Sequence, residues 1–87
     1  MTVASQGTRV FWELYRDLPV EIRESARKAY RLWQQDAFHP SLHFKKVRNE
    51  NWSVRIGLNC RAMGEFSEDG MFLWEWIGSH ADYDKRV

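Results

Sequence analysis

At Asp36-Ala-Phe-His-Pro40 the hydrophobic period of this chain changes from helical to alternating, so its two halves must fold differently. Before the change, Val10, Phe11, Leu14, Tyr15 and Leu18 recur at the spacing of one helix face, starting from Arg9. Asp17-Leu18-Pro19 interrupts that stripe. Proline is tolerated in a first helical turn, where its missing N–H would be unpaired anyway, and Glu21 suits the positive end of a helix. A second helix is therefore expected from Pro19 to Gln35, with Ile22, Ala26, Ala29, Tyr30 and Trp33 inward and Arg23, Arg27, Lys28 and Arg31 in water. Pro40 disfavours helical geometry at His39 and stops propagation.

Beyond Pro40 a first strand is expected over Ser41 to Val47, with Leu42, Phe44 and Lys46 on one side. Asn49-Glu50-Asn51 is turn chemistry. Trp52, Val54, Ile56 and Leu58 then alternate with Ser53, Arg55, Gly57 and Asn59, the pattern of a half-buried strand. Arg61 to Ser67 continues as another strand, and Ser67-Glu-Asp-Gly70 is a hairpin turn. Met71 to Ile77 is almost continuously apolar, which predicts a central strand covered on both faces and ended by Gly78. Ser79 is placed to cap a final helical turn. Residues 1–8 are small and polar and read as a flexible terminus.

The expected architecture is a single α+β domain over residues 1–87. An N-terminal helical hairpin packs on one face of a small antiparallel sheet of three to four strands, and a short helical turn closes the chain. The opposite sheet face should carry Arg55 and its neighbours. A chain of 87 residues buries only roughly 60–65% of its unfolded surface. Five Trp, five Phe and three Tyr supply the large side chains that such a small core needs, and Trp74 and Trp76 belong to it. The single Cys60 excludes an internal disulfide framework and reads as a buried small hydrophobe. No run reaches the length of a membrane span and residues 1–10 hold no apolar signal region, so the expectation is a cytoplasmic protein without a membrane partner.

The formal net charge is only +1, but it is unevenly spread. Residues 43–61 hold Lys45, Lys46, Arg48, Arg55 and Arg61 against Glu50, whereas residues 62–84 hold six acids and no Lys or Arg. That division fits a focused cationic patch, or alternatively solvated charge on several faces. Arg55 and Arg61 have the rigid guanidinium fork that suits bidentate phosphate contact. His80 is the acid–base candidate near neutral pH, and Tyr83 would share its helix face. Such parts hold a phosphodiester and move a proton beside it with no metal or organic cofactor. Alternatively, the two arginines make surface ion pairs, His80 caps a helix and Tyr83 covers the sheet edge. His39, His43, Cys60 and His80 do not form a zinc set, because Pro40 prevents the helix that would align His39 with His43 and no cysteine pair exists.

The chain resembles the RelE/ParE superfamily of bacterial toxin–antitoxin toxins from about Phe11 to Tyr83. The resemblance lies in Leu18-Pro19 opening the second helix, His39-Pro40-Ser41-Leu42 leading into Phe44-Lys45-Lys46-Val47, and Trp52-Ser-Val-Arg55 on a strand. It continues in Arg61 and in Trp76-Ile-Gly-Ser-His80-Ala-Asp-Tyr83-Asp. It implies a RelE-like α+β toxin bound by a cognate antitoxin, with Arg55, Arg61, His80 and Tyr83 at its site. The basic run Lys45, Lys46 and Arg48 matches more loosely as RNA-binding. In the messenger-RNA-cleaving branch the resemblance implies ribosome-dependent endoribonuclease activity that inhibits translation. The alternatives are non-catalytic inhibition of DNA gyrase, as in the ParE type, and a non-toxic RelE-like binding module. Family members begin with a β-strand, which residues 1–8 do not promise, and commonly carry an aromatic residue where Cys60 stands.

Overall fold

The computed structural model describes residues 4–86. In chain order its elements are β1 (Ser5–Gly7), α1 (Arg9–Arg16), α2 (Val20–Gln35), a 3-10 turn (Pro40–Leu42), β2 (Lys45–Arg48), β3 (Asn51–Ile56), β4 (Cys60–Phe66), β5 (Phe72–Ser79) and α3 (His80–Arg86). Thr8 starts α1 by accepting the Phe11 N–H at 3.2 Å, which satisfies one of the donors that a helix leaves free at its N-terminus. Pro19 precedes α2 as expected, and Asp17–Pro19 is the whole link between the two helices. Tyr15 ties them together, its hydroxyl accepting from Arg27 Nη1 at 3.1 Å.

The sheet has five strands in the order β1-β5-β4-β3-β2, antiparallel throughout except that β1 runs parallel to β5. Thus the polar N-terminal segment is not a loose end over its described part. Ser5, Gln6 and Gly7 register with Phe72, Leu73 and Trp74. The flanking bonds Phe72 N–H to Ala4 O and Thr8 N–H to Trp74 O, each 2.9 Å, fix the strand. Those bonds need only backbone, which is why side-chain pattern did not announce them. Met1 to Val3 lie outside the described residues.

Two other elements differ from expectation. Residues 41–44 are not strand: Pro40 opens a 3-10 turn, and His43 then adopts a left-handed conformation at φ 47° before β2 begins. Leu42 and Phe44 are nevertheless both buried. Leu58 lies in the β3–β4 turn and is 74% exposed, because β3 ends at Ile56 and Gly57 turns the chain at φ +61°.

The main core lies between the helices and one sheet face. Phe11, Ala26, Trp33, Val54, Ile56, Ala62, Phe72, Trp74 and Ile77 meet there, and Phe72 is fully buried. A second, smaller cluster of Met63, Trp76 and Tyr83 covers part of the opposite face. One irregularity creates this division. Met63 pairs with Trp76 but Gly64 pairs with Trp74, which leaves Glu75 as an extra residue in β5. The bulge breaks the alternation, so Trp74 and Ile77 both point to the helices while Trp76 points away. Gly78 completes the arrangement, since a Cβ there would stand 2.6 Å from the Trp76 ring.

Burial, and then repulsion from Glu65, hold the Glu75 carboxyl above the usual carboxylate range. The folded state therefore keeps this proton more tightly than the unfolded chain. Stability from this group is present below the unfolded pKa and lost as pH rises through the folded one. E75Q should accordingly melt higher than the parent at about pH 7, and the gain should vanish near about pH 3.5, where both forms are neutral. Thermal unfolding at the two pH values measures it.

Candidate functional site

On β3 and β4 alternate side chains point away from the helices, and register places Arg55 directly opposite Arg61 and Ser53 opposite Met63. Like charges paired across a sheet are unfavourable unless something holds them apart. Here each guanidinium is drawn to its own anchor. Arg55 Nε donates to Gly57 O at 3.1 Å, and its Nη1 donates to His43 Nε2 at 3.4 Å. Arg61 Nη1 donates to Cys60 O at 3.1 Å, and its guanidinium carbon lies 5.8 Å from the centroid of the Tyr83 ring, within cation–π range. The strands thus hold two partly exposed cations on one open face.

Tyr83 is the support of this arrangement. It is 8% exposed, and its hydroxyl donates to the buried Ser53 Oγ at 3.2 Å, bridging α3 to β3. Ser79 caps α3 by accepting the Asp82 N–H at 3.1 Å, and the His80 N–H reaches Asn59 O at 2.8 Å. His80 therefore stands beside the β3–β4 turn. Its ring centroid is 6.3 Å from that of Tyr83, and its half-exposed Nε2 lies 3.4 Å from Asp84 Oδ1.

Of the residues singled out from sequence, Arg55, Arg61, His80 and Tyr83 come together, with Lys45 on the same face through its pairing with Ser53. Lys46 does not join them. It pairs in register with Trp52, which packs on the helix side, and its Nζ lies 3.3 Å from Glu50. Arg48 sits at the end of β2 opposite Asn51. His43 joins the face although sequence reasoning treated it only as a failed zinc ligand. The signal was its position two residues before Lys45, on the side opposite Leu42 and Phe44.

Cys60 is buried, which pushes its thiol pKa up and leaves it a poor nucleophile. Among the described residues no three His, Cys, Asp or Glu side chains are placed to hold a metal ion. No helix among them is long and apolar enough to cross a membrane. A separate apolar cavity of about 580 Å³ lies beneath the helices, on the face away from the arginines. Trp12, Tyr15, Tyr30, Trp33 and Trp74 line it, together with Arg27 and Arg31.

Residues 20–85 match the family described as the ParE-like toxin domain. The chain belongs to that family, within the RelE/ParE superfamily of toxin–antitoxin toxins. The matched span includes all of the site just described. The fold is that of solved RelE-type structures at low identity. The RelBE toxin–antitoxin complex of Mycobacterium tuberculosis superposes with a TM-score of 0.72 at 14% identity, covering 92% of this chain and 100% of that one. The RelB–RelE complex of Methanococcus jannaschii gives 0.70 at 15%, covering 93% and 96%. A free mutant E. coli RelE toxin gives 0.71 at 13%, covering 100% and 99%. A comparison with curated protein sequences gives no match.

The Ser53–Tyr83 bond carries a separable prediction. S53A leaves the Tyr83 hydroxyl buried without its partner and should cost about 1–3 kcal/mol, whereas the double variant S53A/Y83F removes both polar groups and should recover most of that loss. Denaturant unfolding of the parent, the two single variants and the double variant measures the coupling.

Proposed function

We propose that this protein is the toxin of a two-protein toxin–antitoxin pair and cleaves messenger RNA on the ribosome by side-chain acid–base chemistry. The supporting observation is the register-paired Arg55 and Arg61 on an open sheet face, with His80 beside them. RNA carries its own nucleophile, the 2′-hydroxyl next to each phosphate. A site that binds the phosphoryl oxygens and supplies proton transfer lowers the barrier to its attack without a cofactor. In this reading Arg55 and Arg61 clamp the phosphate and stabilise the charge that builds on it. His80, with its Nε2 3.4 Å from Asp84 Oδ1, gives a proton to the departing 5′-oxygen. Lys45 guides the RNA backbone across the face, and Lys46 and Arg48 attract it from the hairpin edge. Tyr83 acts through Arg61, which it holds from below.

The ParE-like description of the family favours a second reading, non-catalytic inhibition of DNA gyrase by the same scaffold. Induced expression separates the two. Full-length messages should disappear and translation stop while plasmid supercoiling stays normal. DNA breaks with intact messages would transfer the function to gyrase.

The solved relatives from M. tuberculosis and M. jannaschii are toxin–antitoxin complexes. We propose a corresponding antitoxin here, with an acidic segment over Arg55 and Arg61 and apolar residues in the cavity beneath the helices. R55E/R61E should weaken that partner by about tenfold or more in a titration, mostly through faster dissociation. Unchanged affinity would put the covering surface elsewhere.

A further inference from the structure

His43 lies across the arginine pair from His80. It precedes β2, and extending the Lys45–Ser53 register by two residues brings it beside Arg55, where the 3.4 Å contact is found. One row therefore runs His43, Arg55, Arg61, Gly78 across four neighbouring strand positions, and His80 follows Gly78 by two residues. With adjacent strands about 4.8 Å apart, the backbones at the two ends of the row stand roughly 14 Å apart. His43 and His80 thus stand at opposite ends of the row that carries the two guanidinium groups.

We infer that His43 is the second acid–base residue of this site, taking the proton from the 2′-hydroxyl of an RNA substrate while His80 supplies the proton to the leaving group. The inference rests on the ribonuclease reading above. The hydrogen-bond partners set the two roles. His43 Nε2 accepts from Arg55 and so carries a lone pair, the form a base requires. His80, whose Nε2 lies 3.4 Å from Asp84 Oδ1, takes the other role. Without RNA, Arg55 spends its Nη1 on His43. A phosphate that takes up this N–H frees the His43 lone pair next to the ribose that must lose a proton. The 2′-hydroxyl proton passes to His43 Nε2 as the 2′-oxygen bonds to phosphorus. The bond from phosphorus to the 5′-oxygen breaks, and that oxygen takes a proton from the His80 imidazolium. The products are a 2′,3′-cyclic phosphate and a 5′-hydroxyl end. Proton transfer of this kind contributes typically ~10²–10⁴-fold to rate.

The charged neighbours of each ring are on the same face. Arg55 of β3 and Lys45 of β2 flank His43. Asp84 of α3 flanks His80, and Arg61 of β4 approaches it through the Tyr83 ring. His39, in the same turn as His43, is bonded to Ser41 instead.

The test is single-turnover cleavage of ribosome-bound message across pH, with substrate both saturating and limiting. H43N is the variant of choice, because asparagine accepts the left-handed backbone that His43 adopts at φ 47°. The parent should give a bell-shaped profile. H43N should fall by about 10²-fold at saturation and lose the ascending limb, and H80A should lose the descending limb. A melting temperature within a few degrees of the parent shows that H43N is folded. Weaker substrate binding in H43N with both limbs retained would overturn the inference and leave His43 as a support for Arg55. Full activity in H43N would overturn it outright while the ribonuclease reading stands. A parent protein that cleaves no message would remove that reading and this inference together.

Discussion

The extra residue Glu75 in β5 is the feature on which the rest of the molecule turns. A regular strand of this composition would send Trp74 and Trp76 to the same face and crowd the space beneath the helices. With Glu75 bulged, Trp74 and Ile77 serve the helix-side core while Trp76 joins Met63 on the other face. That second apolar patch is what Tyr83 and α3 pack against. Without it α3 would have no apolar seat, and the ring beneath Arg61 would have nothing to rest on. Bulges commonly re-aim side chains next to functional sites, and here the re-aimed side chain is a tryptophan that builds the floor.

The cations of the site are placed by backbone and ring rather than by carboxylates. Arg55 is bonded to Gly57 O and His43, and Arg61 to Cys60 O and the Tyr83 ring. Neither arrangement neutralises the guanidinium, so a phosphate entering this face does not first have to displace an acid. The carboxylates near the site stand beside other residues, Glu50 beside Lys46 and Asp84 beside His80. This explains how a protein of formal net charge +1 presents a concentrated positive face.

The helices and strand β3 were legible in sequence because each buries one face, and burial writes a period into the residues, whereas β5 was legible as an unbroken apolar run and the Ser67–Gly70 hairpin by its turn residues. Arg55 and Arg61 were legible for the same reason, as the polar phase of an apolar alternation. β1 was not, since Ser5, Gln6 and Gly7 join the sheet through backbone bonds that any residue but proline can make. Leu58 misled because a period of two continues past the end of β3, where Gly57 turns the chain and leaves the leucine in water. Tyr83 was expected to share a helix face with His80 at the site, or else to cover the sheet edge. Its burial depends on the Trp76 patch, and no local pattern reveals a bulge between Met63 and Gly64. His43 was hidden by Pro40, which ruled out the helix that would have made it a ligand and obscured its place at the end of a strand row.

In the proposed function, the Arg55–Arg61 face breaks RNA by in-line attack of its own 2′-hydroxyl. The chemistry of the fragment ends tests this most directly. Message cut on purified ribosomes by the protein should carry a 5′-hydroxyl on the downstream fragment and a 2′,3′-cyclic phosphate on the upstream one. A 5′-phosphate with a free 3′-hydroxyl would mean that water or a metal-bound hydroxide made the attack, and would contradict it.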